Sequence, residues 1–592
     1  MLECLNARND RFFKGGFCGL LIAAAVFCGA SAAQAAGRLP AGYAEHEYIE
    51  STGTQYIDTG VVITPTMAVE ADAQYTETTT YQQRIFGNSH NGASDPDGDL
   101  GTGHLNFDIY IQGQGFFASA LAEDKGDYVK TNTKADKNRH THKLDCTDRK
   151  YYLDGTVMTT HATTPTKSTN GSLYIFANHR ASMDYAFMRL YSCKIYDSGV
   201  VVHDYVPARR LTDSAFGLYD TKTDVFLTNA GTGKFNPGPA ILEPLTWPGG
   251  KPRTNGFEKT MEISIGEGML PAANVYTNFQ VLVRLSETRQ NKFHYADCGD
   301  NGSGIRFTML DGSLLAHEID TWNISGESLV WVNISNLTAA TKFRMYWKPK
   351  SIAALPVVEP ALTWPKYAGV WHFNDAYPTN AADSSANHYD AVSTASDMTQ
   401  IDGKVGKTFH NVAASSVFKT GIDAAILGGI AHRQNFTISG WMKSDTSACG
   451  YARLVQKGGY NIPGWGVNMQ NKDTQITFRS SNSASIYSPY CSSITSWQHF
   501  TCVYTFGGTV ILYENGTLKG SASSRVWADE SPGIELEVYG ALVGSGDEAR
   551  IRNGATSAEH VLADYKTQTD ANFLAYGPVE NQGGVGLVIY VR

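Results

Sequence analysis

The sequence predicts an all-β fold divided among several bodies, and three observations carry that prediction. Apolar and polar residues alternate over short runs bounded by Gly, Asn and Asp, which is the period of half-buried strands. A sustained 3.6-residue period is nearly absent. The 592 residues include 58 glycines and 31 tyrosines, which suits glycine-punctuated strands better than helices or disorder. A chain of this length exceeds what one hydrophobic core organises, so roughly three to four domains are expected. The formal net charge of -9 leaves no basic footprint, and nucleic acid is not an expected partner.

Taken in order, the N-terminus carries Arg8, Arg11 and Lys14, an apolar run from Phe17 to Ala30, and Ala33-Gln34-Ala35. Basic residues, a short apolar stretch and small residues at a cleavage point read as a secretory signal over residues 1–36, too short to span a membrane comfortably. The expected product is exported, either secreted or held in the cell envelope, with no membrane span after cleavage. Export removes Cys4, Cys18 and Cys28, leaving Cys146, Cys193, Cys298, Cys449, Cys491 and Cys502. None has metal-site spacing. An oxidising compartment permits bridges such as Cys146 to Cys193, and buried thiols on strands satisfy the same sequence.

Two near-copies of one segment mark the joints: EPLTWP at Glu243 to Pro248 and EPALTWP at Glu359 to Pro365. Proline fixes φ and withholds a donor, so both are read as linkers that space their neighbours. The expected divisions are a first domain at 38–240, a linker at 241–254, a middle domain at 255–350, a linker at 351–366, a third domain at 367–580 and a tail at 581–592. Strand-like runs fill the outer domains, from MAVEADAQY and LNFDIYIQG in the first to FTISGWMKS and TVILYENGT in the third. KYYLDGTVM (Lys150 to Met158) and ILYENGTLK (Ile511 to Lys519) each close a strand with Asp-Gly or Asn-Gly, the chemistry of a two-residue hairpin turn.

Trp497, His499-Phe500, Thr509-Val510 and Leu512 to Gly516, with Trp371-His372-Phe373, Asp383 to Asn387, FTISGWMKS and DEARIRNGATSAEHVLADY, resemble the laminin-G-like, concanavalin A-like jelly roll in that family's order. Leu39 to Val61, RLYSCKIYDSG and GLYDTKTDVFLTNAGTGKF make the first domain similar to another branch of the same superfamily. FQVLVRL, FHYADC, the run from Ile305 to Ile334 and RMYWKPK resemble a bacterial DUF2341-like β domain, with Lys348-Pro349 departing from that family's last turn. The resemblance implies two concanavalin A-like β-sandwich domains flanking a smaller β domain.

The tempting catalytic motif is HEIDTWN at His317 to Asn323. Glu318 and Asp320 share one strand face, about 7 Å apart at two strand rises. Asn323 stands where the general acid of a glycoside hydrolase of this fold would stand, and the motif belongs to the middle domain's own pattern, so the pair is read as structural. Glu535 and Glu537 alternate with Ile534, Leu536 and Val538 and read as the solvated face of a strand. No nucleophile elbow, phosphate loop or His-Glu-x-x-His is present. His372, His499 and His560 fall in fold-signature stretches and read as packing or edge residues.

No catalytic residue is therefore assigned, and a non-catalytic protein is expected. Candidate ligand-binding residues are aromatics and amides suited to sugar faces and hydroxyls: Tyr460, Trp465, Tyr487, Tyr490 and Trp527 in the third domain, with Arg84, Asn88 and His90 in the first. Loops at sandwich ends favour Tyr487, Tyr490 and Trp527, whereas Gly-Trp-Gly around Trp465 is also a core strand pattern. Hard oxygen ligands cluster in Asp95, Asp97 and Asp99. The jelly-roll resemblance implies a structural calcium between Asp383 and Asp547. The function expected is adhesion or recognition of a glycan or cell-surface polymer. Its rivals are a glycan-cleaving enzyme of the same fold and a structural envelope protein without a small ligand.

Overall fold

A computed structural model describes residues 39–582 apart from 41, 80–81, 89–103, 113–114, 124–127, 180–183, 211, 214, 243–244, 251, 394, 396, 414–415, 421–433, 447–450, 460–461, 471–474, 481–484, 488 and 524–533. The expected signal and most of the expected tail lie outside the described residues. The fold is all-β, with one α-helix, Ala558–Thr569, among the described residues. No described helix is long and apolar enough to cross a membrane.

The first body is a two-sheet sandwich. In its larger sheet Met67–Tyr75 lies between Arg139–Asp145 and Phe187–Asp197, and the smaller sheet runs through Arg84–Asn88, Asn106–Gln112, Phe116–Ala122 and Tyr128–Lys134. Alternation sends Val69, Ala71, Ala73 and Tyr75 inward to meet Phe107, Ile109 and Ile111 of the facing sheet. Along Phe187–Asp197 the inward residues Met188, Leu190, Cys193 and Ile195 skip one position. A bulge between Leu190 and Ser192 absorbs the extra residue and keeps both halves of the strand facing the core. The expected hairpin turns form, with φ of 49° at Asp154 and 74° at Gly155, and 51° at Asn515 and 72° at Gly516.

The third body repeats the architecture. One sheet has the order Tyr367–Trp371, Gly544–Asn553, Phe436–Ser444, Gln498–Tyr504, Thr509–Glu514, Thr517–Ser523; the other is built around Leu536–Val538, Arg453–Gly459, Ile462–Gln470 and Gln475–Ser480. Trp371, Phe436, Ile438, Phe500, Cys502 and Leu512 pack against Val455, Trp465, Val467, Phe478 and Val538 between the sheets. Leu536 and Val538 are buried while Glu535 and Glu537 reach outward to Lys419 (3.6 Å) and Arg453 (3.0 Å), as the alternation required. Cys146, Cys193, Cys298, Cys491 and Cys502 are free thiols, so the bridge open between Cys146 and Cys193 is not made; both sit buried in the first core.

The middle body departs from the sequence reading in two ways. First, the chain does not stay in the third sandwich up to residue 580. After Gly544–Asn553 it forms the helix, capped by Ser557, whose hydroxyl accepts the His560 N–H (3.2 Å). Leu574–Tyr576 and Glu580–Asn581 then pair antiparallel with Phe257–Ile265 of the middle sheet. The cause is apolar: Ala563, Phe573 and Leu574 complete the middle core beside Ile263, Phe279 and Phe343. Second, the two linkers are anchors rather than spacers. Trp247 packs with Phe257 and Tyr346 and donates Nε1–H to the Gly312 carbonyl (2.9 Å). Trp364 is fully buried edge-on to Trp331 (5.6 Å, 61°), a pairing worth about 0.5–1.5 kcal/mol beyond its area. The first body also touches the third directly, through Arg209 to Asp390 (3.1 Å) and the Ala240 N–H to the Ala386 carbonyl (2.8 Å).

Candidate ligand-binding site

The first-body candidates are occupied by the sandwich itself. The Arg84 guanidinium lies over the Tyr110 ring (3.9 Å), faces Asp184 (3.4 Å) and Asp108 (3.7 Å), and donates to the Gln82 carbonyl (2.9 Å). Asn88 is buried and donates to the carbonyls of Asn170 (3.1 Å) and Ser172 (2.8 Å), tying its strand to a neighbouring loop. His90, Asp95, Asp97 and Asp99 lie outside the described residues. In the third body, Trp465 is a core residue against Phe436 (5.4 Å), the structural alternative for Gly-Trp-Gly. Tyr490 is 73% exposed. Tyr487 ends a short strand paired with Gln475–Ser480, its side chain outside the described residues, as are Tyr460 and Trp527.

Asp383 is buried, and its carboxylate accepts from the N–H groups of Val370, Ser385 and Tyr389 (2.8 Å each) and the Ser385 hydroxyl (2.8 Å). A carboxylate offers about four lone-pair positions, and the chain fills all of them, so the expected calcium finds no free oxygen on Asp383. Asp547 gives Oδ2 to the N–H groups of Lys404 (2.6 Å) and Val405 (2.9 Å). Asp383 is thus committed to the chain, whereas Asp547 pins a loop through Oδ2 and leaves Oδ1 buried with no hydrogen-bond partner.

What the sequence did not indicate is a cleft of about 470 Å³ where the first body, the two joining segments and the third body meet. The first body supplies Tyr48 and Arg189; the first linker region supplies Pro239, Ala240 and Leu242; the second supplies Leu362, Trp364 and Pro365; the third body supplies Tyr367, Asn387, Tyr389, Gln434 and Asn553. Among the described residues that line it there is no Asp, Glu or His. Arg189 is held over the Tyr48 ring (4.7 Å) by Glu50, which accepts its Nε–H at 2.6 Å, and it also bonds Tyr191. Burial pushes the Tyr48 hydroxyl up to about 12, so it stays a neutral donor and acceptor. Single-residue motifs do not signal such a site, because its walls come from segments hundreds of residues apart.

Behind the Trp364 wall lies a buried ionic node that joins the middle and third bodies. Glu318 and Asp320, on the strand His317–Thr321, point at His372 rather than into an open cleft. His372 Nδ1 meets Glu548 Oε1 (2.7 Å), and its Nε2 meets Glu318 Oε2 (3.3 Å). Glu318 also accepts from Trp364 Nε1 (2.5 Å) and Ser384 Oγ (2.6 Å). Arg550 holds Glu548 Oε2 through Nε (3.0 Å), reaches Asp564 (3.1 Å) and stacks on Trp331 (4.4 Å) and Trp364 (4.8 Å). Burial alone would raise Glu548, yet His372 and Arg550 together draw it down to about 2. Burial would lower His372, and Glu548 with Glu318 carries it well above the imidazole range. Burial pushes Asp320 up to about 7. His372 is thus a charged hub rather than a packing residue. His499 against Trp441 (4.9 Å) and His560 against Phe279 (5.0 Å) do pack.

Residues 420–562 match the family model of the concanavalin A-like lectin/glucanases superfamily. No curated protein matches the chain. Similar solved structures include the binding domain of Paraclostridial mosquitocidal protein 1 (16% identity, TM-score 0.27, 34% of this chain and 52% of that one). Another is domain 4 of AbnA, a GH43 extracellular arabinanase from Geobacillus stearothermophilus, in complex with arabinotriose (19%, TM-score 0.28, 33% and 97%). A third is the botulinum neurotoxin serotype G binding domain (17%, TM-score 0.26, 34% and 51%). The matched region spans about half of each toxin domain. The two facing sheets and the family match together make the third body a concanavalin A-like sandwich.

Proposed function

We propose that this chain is an exported, non-catalytic binding protein whose ligand is carbohydrate, a glycan or cell-surface polymer, taken in the cleft between its bodies. The observation that carries this reading is the composition of the cleft wall. Tyr48, Tyr367, Tyr389 and Trp364 bring aromatic groups to the wall, Arg189, Asn387 and Asn553 bring polar groups of the kind that meet hydroxyls, and no Asp, Glu or His is among the described lining residues. Its volume falls in the range of roughly 300–1,000 Å³ of small-ligand sites, and such sites favour domain interfaces. Cleavage of a glycan would need two carboxyl groups flanking the bond. The sequence's pair, Glu318 and Asp320, is buried and committed to His372.

The test is a screen of the full chain against immobilised polysaccharides of plant, animal and microbial origin, repeated with Tyr48→Ala and Asn553→Ala. Binding to at least one polymer class is expected, with affinity at least tenfold weaker in Tyr48→Ala while circular dichroism shows that the variant remains folded. Binding that both variants retain in full would move the site elsewhere, with exposed Tyr490 as the next place to substitute. Absence of binding to every polymer would end the carbohydrate reading.

A further inference from the structure

The ionic node has the construction of a metal centre. Among the described residues, Asp320, His372 and Glu548 are the group whose ligand atoms all lie within 4.8 Å of one another. The separations from His372 Nδ1 are 2.7 Å to Glu548 Oε1 and 3.5 Å to Asp320 Oδ2. Ligands about 2.0–2.2 Å from a tetrahedral zinc stand a little over 3 Å apart, between the two separations from Nδ1, so the pair at 2.7 Å would open as the ion enters.

Each of the three brings one atom to the group and has its other polar atom held, with His372 Nδ1 and Glu548 Oε1 bonded to each other across it. His372 turns Nε2 to Glu318, the carboxylate behind a ligating imidazole that fixes ring orientation and raises its basicity. Glu548 gives Oε2 to Arg550. Asp320 accepts the Thr321 hydroxyl on Oδ1 (2.7 Å), while Oδ2 is buried with no hydrogen-bond partner, its side chain 1% exposed. A buried carboxylate oxygen left unmatched is costly unless a proton or a cation meets it. Gly406 allows the approach, because a Cβ there would stand 2.5 Å from Asp320 Oδ1.

We propose that Asp320, His372 and Glu548 form a site for a divalent transition-metal cation, zinc in the first instance, bridging the middle and third bodies. The mixed nitrogen and carboxylate set suits such a cation better than calcium, which takes six to eight oxygens. Binding needs a neutral imidazole and ionised carboxylates, so uptake of the cation is coupled to release of whatever protons these groups hold. Asp320 comes from one body and His372 and Glu548 from the other, so the bound ion staples them.

The full chain is stripped with chelator and titrated with Zn²⁺ by calorimetry, with Co²⁺ as a spectroscopic probe and Ca²⁺ as a comparison. One zinc per chain is expected, with a raised melting temperature, visible d–d absorption for the cobalt form and no equivalent response to calcium. Asp320→Asn, near in shape and itself neutral, is expected to fold and to weaken zinc binding at least tenfold; His372→Gln should do the same. Zinc taken up equally by Asp320→Asn, or no stoichiometric uptake by the native chain, would overturn the assignment and leave the node an ion pair. Because none of these residues lines the cleft, loss of metal binding and loss of carbohydrate binding are separate results.

Discussion

The two Leu-Thr-Trp-Pro segments present the same four residues to the middle body and are held by different physics. Trp247 sits on Phe257 and Tyr346 and spends its N–H on a neutral carbonyl. Trp364 spends the same N–H on the Glu318 carboxylate and lies under the Arg550 guanidinium. One joint is an apolar anchor with a neutral hydrogen bond, and the other is part of a charged network whose centre, His372, Glu548 and Arg550, is buried. A repeat therefore sets where the chain is pinned, while the partner surface sets how strongly and how dependent on charge the pinning is.

The largest expected effect that tests this contrast is at Arg550. Replacing it with Met keeps apolar bulk over Trp331 and Trp364 but leaves Glu548 and Asp564 short of their cation. Breaking a buried pair by removing one partner costs about 3–5 kcal/mol, so urea unfolding of Arg550→Met should lose stability on that scale. A loss near zero would mean that water reaches the node. Next in size is the direct comparison of tryptophans. Trp364→Phe removes a hydrogen bond to a charged group, about 1.5–3 kcal/mol, and Trp247→Phe removes one to a backbone carbonyl, about 0.5–1.5 kcal/mol. Equal losses in paired denaturation curves would show that ring packing, rather than the acceptor, governs both joints.

How much of this was legible follows the range of each interaction. Met67–Tyr75 announced its inward face by alternation, Asp154-Gly155 and Asn515-Gly516 announced their turns, and Gly-Trp-Gly around Trp465 carried its core alternative. Spacing placed Glu318 and Asp320 on one face, but their partner His372 lies in another body, and no local pattern joins them. The return of Leu574–Tyr576 to Phe257–Ile265 was hidden for the same reason, because either stretch alone reads as a strand of its own neighbourhood. The helix Ala558–Thr569 carries a Ser557 cap and an early Glu559, yet its buried set is interrupted by polar Thr567 and Gln568. These two accept from Leu282 N–H (3.0 Å) and Trp441 Nε1–H (2.7 Å), so the helix binds two bodies with polar atoms that an apolar stripe would lack. The cleft was invisible because it belongs to the assembly of the bodies, and Arg84 and Asn88, chosen for chemistry, were claimed by internal packing.

The smallest expected effect separates the first body's contact from the node by pH. His46 is buried against Phe216 (5.2 Å) with His388 beyond (6.3 Å), and its Nδ1 is tied to the Gly238 carbonyl (2.7 Å). Burial lowers it to about 3, with His388 and Arg209 adding to the depression. Between an unfolded value near 6.5 and about 3, the unfolded chain holds a proton there that the folded chain refuses. Stability at this contact is therefore complete above about pH 6.5 and declines as the pH falls toward 3. One proton corresponds to about 1.4 kcal/mol per pH unit, so from pH 7 to pH 5 the loss from this group is on the order of 1–2 kcal/mol. His388, across the same contact, is also lowered by burial, so the measurement is a difference: urea midpoints at pH 7 and pH 5 for the native chain and for His46→Asn. A smaller acid loss in the variant is expected; an identical loss would show that His46 is rehydrated before the contact gives way, and that the first body is held by Arg209 and the Ala240 backbone bond instead.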